Sequence, residues 1–243
     1  MKRRDLIAAS AGIAGGLFSA LAQAATPCPP PQVGVAGGGS ATTTCTIAST
    51  SAYSTNFASG ENPLSEGGVW QHNGLDWTTV KSESGHAHGT QTNSSLAYND
   101  SYAYLSGFPA NQSAQAVIYN TSTSSTNKEV ELLLRWSDSG HSATGYECNI
   151  NHLGLYSQIV RWNGPLGSWT EIGRAPNPPQ PKTGDVMKAT IVGNVITVYI
   201  NGVQIMQATD STYKTGNPGM GFYIDPGALN SEFGFSSFTA TGL

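Results

Sequence analysis

The stretch from Gly184 to Asp210, GDVMKATIVGNVITVYINGVQIMQATD, limits the fold of this chain most narrowly. Apolar and polar residues alternate along it, and β-branched residues are frequent, which is typical of strands. Gly193-Asn194 and Asn201-Gly202 separate three such runs, and Asn-Gly is a strong signal for a two-residue hairpin turn of type I′. The stretch therefore predicts a three-strand antiparallel meander over residues 185–192, 195–200 and 203–209.

The rest of the chain after residue 53 continues in the same way. About a dozen short runs with strand-like composition are separated by turn signals, and no run has convincing helical periodicity. This organisation predicts an all-β fold, a two-sheet antiparallel sandwich or jelly roll.

The N-terminal segment differs from the rest. Residues 1–24 have a basic head, an apolar middle and a small-residue end at AQA, which indicates a cleaved secretion signal rather than a membrane anchor. Arg3-Arg4 resembles a twin-arginine signal, although an ordinary Sec signal also fits. We therefore expect an exported bacterial protein, periplasmic or extracellular. Residues 25–52 read as a Pro/Gly/Thr-rich leader or linker, and 53–243 as the folded domain.

Three cysteines are present in a chain that we expect to be exported, where disulfides form. Cys28 and Cys45 flank the leader, and we predict that they pair. Cys148 lies in the apparent strand GYECNIN and is predicted to be a buried free thiol.

Composition restricts the partners. Charged residues make up 11% of the chain, and the formal net charge is −4. Because no basic patch is present, a nucleic-acid partner is not expected. No segment after the signal is apolar for long enough to span a membrane. The sequence does not indicate an oligomeric state.

Six segments in a fixed order, VELLLRW, GYECNIN, SQIVRWNG, the meander, GNPGMGFYI and FGFSSF, resemble the concanavalin A-like lectin/glucanase superfamily over roughly residues 53–243. The resemblance implies a curved jelly-roll sandwich whose concave sheet often holds a sugar chain. It does not choose among lectins, laminin G-like modules, glycosidases and polysaccharide lyases. The glucanase motif E-x-D-x-x-E or E-x-D-x-E and the strand motifs of jelly-roll alginate lyases are missing.

Strand alternation suggests where a ligand would bind. If the strands VELLLRW, GYECNIN and SQIVRW are neighbours, polar side chains could cluster on one face of a sheet. Hydrogen-bonding groups beside aromatic rings suit sugars. A solvated outer face with an Arg135–Glu147 salt bridge is the alternative. The predicted ligand-binding residues on this face are Arg135, Glu147, Asn149, Asn151 and Arg161.

Two kinds of enzyme, a lyase or a glycosidase, could use the same face for catalysis. A lyase needs a group that neutralises a uronate and a group that moves a proton. Arg135 or Arg161 could neutralise the uronate, and the proton-transfer candidates are Tyr146 and His152, with His141 and Tyr156 as further choices.

A glycosidase needs two facing carboxyl groups. Only Glu129 and Glu131 stand at short strand spacing, and their position beside Lys128 favours a solvated strand end.

Metal and stacking sites have weak signals. His86 and His88 would share one side of a strand and could bind zinc or copper. Trp169, beside polar residues, is the tryptophan that we expect to be exposed for stacking on a sugar, while most of the others should be core. Structural calcium, common in the superfamily, would use turn carboxylates, for which the candidates are Asp100, Asp138 and Asp225.

These observations favour an exported carbohydrate-binding β-sandwich with a polysaccharide or glycan as partner and with no required cofactor. A polysaccharide lyase or other sugar-cleaving enzyme is the first alternative, with a lyase preferred over a glycoside hydrolase. A structural or adhesion module of laminin G type is the second alternative. The sequence leaves open whether the protein is an enzyme.

Overall fold

A computed structural model describes residues 51–92 and 100–243 of the protein. The described residues form fourteen strands and one 3-10 turn, Asn230–Glu232, and contain no α-helix. The strands are β1 (Ala52–Thr55), β2 (Thr78–Glu83), β3 (His86–Gly89), β4 (Asp100–Tyr104), β5 (Gln112–Asn120), β6 (Lys128–Ser139), β7 (Ser142–Asn151), β8 (Ser157–Gly164), β9 (Trp169–Arg174), β10 (Val186–Val192), β11 (Val195–Ile200), β12 (Val203–Thr209), β13 (Asn217–Ile224) and β14 (Phe233–Gly242).

The strands form two layers. The first sheet has the order β12-β11-β10-β5-β14-β3-β2, with β1 paired to β14, and the second has the order β4-β13-β6-β7-β8-β9. Strand β2 pairs antiparallel with β3 and parallel with β4, so it links the two sheets. All other strand pairs are antiparallel. The predicted all-β, two-sheet jelly-roll sandwich is confirmed.

The main core lies between the sheets. Alternate residues of β6, Val130, Leu132 and Leu134, face inward and are fully buried. Cys148 of β7 lies in the same layer, as predicted, and burial raises the pKa of its thiol. Because side chains alternate across a strand, the residues between these positions project from the other face of the second sheet.

The predicted meander is confirmed as β10, β11 and β12. Asn201 and Gly202 form the β11–β12 turn with φ values of 51° and 79°. Two successive positive φ values are the signature of a type I′ turn, whose twist matches that of the flanking strands.

Replacing the turn glycine should therefore be costly. We expect Gly202→Val to lower the free energy of unfolding by about 1–3 kcal/mol, because a β-branched side chain is strained at positive φ. Gly202→Asn is the matched variant and should cost less, since Asn tolerates this conformation. Urea unfolding followed by circular dichroism measures both, and equal stability of wild type and Gly202→Val would contradict the turn assignment.

Some sequence-based predictions fall outside the described residues. These are the secretion signal and nearly all of the leader, together with the Cys28–Cys45 disulfide. The first described strand begins at Ala52, one residue before the predicted start of the domain. Among the described residues, no helix has the length and hydrophobicity needed to cross a membrane.

Candidate active site

A pocket of about 250 Å³ opens on the face of the second sheet that points away from the main core. Strands β4, β13, β6, β7, β8 and β9 all contribute to it. Carboxyl, amide and phenol groups dominate its lining, with two tryptophans on one side. The lining residues are Asp100, Asn127, Glu129, Glu147, Asn149, Tyr156, Gln158, Val160, Trp162, Trp169, Tyr223 and Asp225.

Strand register brings three glutamates together beneath this opening. Glu129 and Glu131 alternate with the core residues of β6, and Glu147 alternates with those of β7. In the β6–β7 ladder Glu131 lies opposite Asn149, and Glu147 lies opposite the next outward residue of β6. Carboxylate oxygens of the three glutamates lie within 4.8 Å of one another.

Glu147 is the best stabilised carboxylate of the three. Its Oε1 accepts a hydrogen bond of 3.0 Å from the Asn149 side-chain amide, and its Oε2 accepts one of 2.7 Å from the Trp162 indole. Burial raises the pKa of Glu147, and these two donors act in the opposite direction. Because both oxygens have donors, Glu147 is the member of the group best suited to carry the negative charge.

Glu129 lies at the pocket wall and holds its proton more tightly. The Tyr156 hydroxyl donates to its Oε1. Burial, followed by repulsion from Glu147, raises the pKa of Glu129 to about 8. The raised pKa of Glu129 favours its protonated form at neutral pH, and the two donors on Glu147 favour the charged form of that residue.

Glu131 and Asp100 complete the acidic group. Glu131 fits against Gly221 of β13, where a Cβ atom would lie 2.2 Å from Glu131 Oε2. Glu131 Oε1 and Asp100 Oδ2 are buried and have no hydrogen-bond partner among the described residues. Burial, and then repulsion from Glu147, raises the pKa of both carboxyl groups, and each also repels others of the group.

The raised carboxyl pKa values make stability depend on pH. A carboxyl with a higher pKa in the folded than in the unfolded state stabilises the fold at low pH, and this stabilisation is lost as pH rises through the folded value. We therefore expect the melting temperature to rise as pH falls from about 8.5 to 7. Over this range the free energy of unfolding should increase by up to about 1.4 kcal/mol per pH unit for each carboxyl group that gains a proton in the folded state. The pKa values of His72, His88 and His152 are lowered, so these residues make stability increase with pH. They titrate below pH 7 and therefore do not affect the range from pH 7 to 8.5.

Glu131→Gln tests the origin of this slope. The neutral amide removes the buried charge at constant shape, so the variant should be more stable than wild type at pH 8.5 and should have a smaller slope. Thermal unfolding followed by circular dichroism at several pH values measures both. If the melting temperature of the wild type stays constant or falls as pH is lowered from 8.5 to 7, the raised pKa values of these carboxyl groups are contradicted.

An aromatic cluster continues the outward face of the second sheet. Trp136 and Trp162 pack edge to face at 6.1 Å, and Tyr102 packs on Trp136 at 5.2 Å. Asp138 accepts hydrogen bonds of 2.6 Å from the hydroxyls of both Tyr102 and Tyr104, which fixes the edge of the cluster. Trp162 belongs to both the cluster and the pocket lining.

Trp169 forms the exposed rim of the pocket. Its side chain is 44% exposed, while the other four tryptophans are at most 5% exposed. The predicted exposure of Trp169 and the burial of the others are confirmed. A ring at the rim of a polar pocket is suitably placed to stack on the apolar face of a sugar. Its role in binding stays a prediction.

Arg135 does not lie on the predicted face, and its assignment to that face is wrong. One extra residue of β6 falls between the pairs Leu134–Tyr146 and Ser137–Thr144, which makes a β-bulge, and Arg135 has a φ of 49°. The bulge reverses the alternation, so that Trp136 instead of Arg135 faces outward. The Arg135 guanidinium donates to three loop carbonyls, those of Ala110, Tyr213 and Gly193.

Arg161 also lies away from the pocket, and its predicted placement is wrong. In the β7–β8 ladder Glu147 pairs with Val160 and Asn149 pairs with Gln158, so those residues share the pocket face. Arg161 alternates to the opposite face, where its guanidinium donates to Asp210 at 2.6 Å.

The two leading proton-transfer candidates lie outside the pocket lining as well. The Tyr146 hydroxyl lies at the edge of the main core and donates to Asp210 Oδ1 at 2.7 Å. His152 is buried beside Phe233, with its Nε2 3.1 Å from the Ser124 carbonyl oxygen. His141 is an exposed partner of Asp76. Of the four candidates, Tyr156 is the one that lines the pocket.

Glu147 and Asn149 are predicted ligand-binding residues that do line the pocket. Asn151 lies just behind them and donates from its amide to Asn127, a lining residue, at 3.2 Å. Their binding role stays a prediction.

The predicted metal candidates are dispersed. His86 and His88 do share one side of β3, with ring centres 5.2 Å apart, but His86 stacks on Tyr119 and His88 Nε2 lies 2.9 Å from Glu83. Asp138 holds the tyrosine hydroxyls described above.

Asp100 and Asp225 both line the pocket. The one group of three potential metal ligands among the described residues is Glu129, Glu131 and Glu147.

The prediction of a solvated strand end for the glutamate pair of β6 is wrong. Glu131 is 3% exposed and Lys128 is fully buried. Lys128 forms an ion pair with Glu232 at 2.9 Å instead. The sequence did carry a signal, because Glu129, Glu131 and Glu147 all occupy strand positions opposite the apolar set. Tyr223, Gln158 and Asn127 had no signal, because only the strand order brings them to the pocket.

No model of a protein family matches the sequence, and no curated protein is similar to it. Solved structures are similar in fold. A carbohydrate-binding module, CBM66 from Bacillus subtilis, has a TM-score of 0.51 at 14% identity and covers 74% of this chain and 95% of its own. The kappa-carrageenase from Pseudoalteromonas carrageenovora, in complex with an oligotetrasaccharide of kappa-carrageenan, has a TM-score of 0.49 at 9% identity, covering 84% and 99%. At 14% identity the similarity to the carbohydrate-binding module shows the fold alone, a jelly-roll β-sandwich.

Proposed function

We propose that the protein is an exported glycoside hydrolase that cleaves a glycan bound across the outward face of its second sheet. One observation carries the proposal: two carboxyl groups, Glu129 and Glu147, line one pocket with oxygens within 4.8 Å of each other, and their hydrogen-bond partners differ. Carboxyl pairs whose environments separate their pKa values are the usual means of acid and base catalysis near neutral pH.

The separation of the pair favours a retaining mechanism. Carboxyl groups about 5–5.5 Å apart leave no room for a water between them, and one then acts as the nucleophile. One carboxyl oxygen of Glu129 and one of Glu147 lie within 4.8 Å of each other, which fits the shorter of the two separations known for glycosidases. Glu147, held by the Trp162 indole and the Asn149 amide, would supply the nucleophilic carboxylate, and Glu129 would supply the proton.

In the first step, Glu147 attacks the anomeric carbon to form a glycosyl ester, and the bond to the leaving oxygen breaks as Glu129 protonates that oxygen. In the second step, Glu129, now a carboxylate, removes a proton from water. The water oxygen attacks the anomeric carbon, and Glu147 leaves as a carboxylate. Tyr156, hydrogen-bonded to Glu129, orients the acid throughout.

Lyase chemistry is less well supported. That reaction needs a positive group or amide to neutralise a uronate. The two arginines predicted for this role donate to loop carbonyls and to Asp210, and no lysine or arginine of the described residues lines the pocket. An acidic pocket also repels a uronate.

Glycan binding without cleavage is the second candidate, and the exposed Trp169 at the pocket rim favours it. A panel of neutral, acidic and amino polysaccharides distinguishes the possibilities. Release of reducing ends with retained anomeric configuration supports a retaining hydrolase. Binding without new reducing ends supports a lectin, absorbance near 235 nm (about where the unsaturated products of a lyase absorb) supports a lyase, and neither binding nor cleavage contradicts action on carbohydrate.

A further inference from the structure

The proposed reaction uses Glu129 and Glu147 and assigns no role to the other two members of the acidic group, Asp100 and Glu131. Asp100 is 6% exposed and lines the pocket, and Glu131 is 3% exposed and lies beneath it. Each has an oxygen with no hydrogen-bond partner among the described residues. Buried acceptors are normally satisfied, so the Asp100 oxygen, on a residue that lines the pocket, indicates a ligand that donates a hydrogen bond to it.

The surroundings restrict what that donor can be. Among the described residues, the acidic groups that face the pocket are the carboxyl groups of Asp100, Glu129, Glu147 and Asp225, with Glu131 behind them. Within residues 51–92 and 100–243, no lysine or arginine contributes to the lining. A sugar hydroxyl brings one donor and no charge, whereas an ammonium brings three donors and a positive charge. An ammonium is therefore the better partner for an unpaired carboxylate in this group.

We propose that the substrate is a glycan of amino sugars, with a free ring ammonium bound by Asp100 beside the reacting pair. This inference rests on the proposed hydrolase function and specifies its substrate class. Repulsion within the acidic group supports this substrate class, because a bound cation would relieve the repulsion and lower the raised pKa values of the carboxyl groups.

Oligomers of glucosamine and of N-acetylglucosamine form the matched pair of probes, since they differ only in the charge and bulk of the amino substituent. We expect the full chain to cleave the glucosamine oligomer with a kcat/KM at least tenfold higher.

Asp100→Asn should lower the ratio of the two kcat/KM values at least tenfold, and Asp76→Asn, which removes an equal charge outside the pocket, should leave the ratio as it is. An equal or inverted preference in the wild type, or an unchanged ratio in Asp100→Asn, would overturn the inference. Micromolar binding of Ca²⁺ that displaces the glucosamine oligomer would overturn it as well, since the acidic group would then be a metal site.

The two proposals fail in different ways. If the chain cleaves another glycan of the polysaccharide panel but neither oligomer, the amino-sugar inference is wrong and the hydrolase stands. If Glu147→Gln cleaves its substrate as fast as wild type, the hydrolase mechanism is wrong, and the substrate inference, which depends on it, falls too.

Discussion

Glu147→Gln should reduce the rate of glycan cleavage by about 10²–10⁴-fold, since it removes the proposed nucleophile while keeping the side-chain shape. The introduced amide would still meet Trp162 and Asn149, so the fold should persist. Initial rates of reducing-end release on the best substrate of the panel measure the loss. Asp76→Asn is the control: its carboxylate lies 2.9 Å from His141, and neither residue lines the pocket.

Two further variants separate the roles of the pair. Azide should restore turnover to Glu147→Gly, because a small anion can enter the vacated space and attack the anomeric carbon. Glu129→Gln should lose natural-substrate cleavage but keep more activity on an aryl glycoside, whose leaving group needs little protonation. The alkaline limb of the wild-type pH profile should lie near pH 8, where Glu129 loses its proton. Full activity of Glu147→Gln would exclude the proposed mechanism.

Arg135→Ala should destabilise the fold strongly, by about 3 kcal/mol or more, although the sequence places Arg135 in a ligand site. The side chain is 4% exposed, and its guanidinium donates to the carbonyls of Ala110, Tyr213 and Gly193 at 2.7–2.8 Å. Hydrogen bonds from a charged donor are worth about 1.5–3 kcal/mol each, and their loss leaves acceptors unpaired.

Urea unfolding of Arg135→Ala measures this effect, with Arg174→Ala as the matched control. Arg174 pairs with Glu171 at the surface, where an ion pair contributes about 0–1 kcal/mol. Arg135→Lys keeps the charge but not the planar set of donors, so it should lie between the two. A folded and equally stable Arg135→Ala that has lost glycan affinity would show that Arg135 belongs to the binding face after all.

Local sequence patterns were sufficient to predict the strands and their turns. Alternation of apolar residues and the Asn201-Gly202 pair depend only on neighbours along the chain, so the meander, the burial of Cys148 and the sandwich architecture were predictable. The face of Glu147 and Asn149 on β7 was predictable for the same reason, because no bulge interrupts the strand there.

The set of side chains that meet in the pocket depends instead on how the strands assemble. A single extra residue at the β6 bulge turns Arg135 away from the pocket face and Trp136 outward. The local sequence VELLLRW contains no signal for this bulge. Asp100 and Tyr223 reach Glu129 because β4, β13 and β6 are neighbours in the sheet, although they are far apart in the chain. The protonation of Glu129 likewise depends on burial and on the charge of Glu147, and both exist only once the strands have assembled.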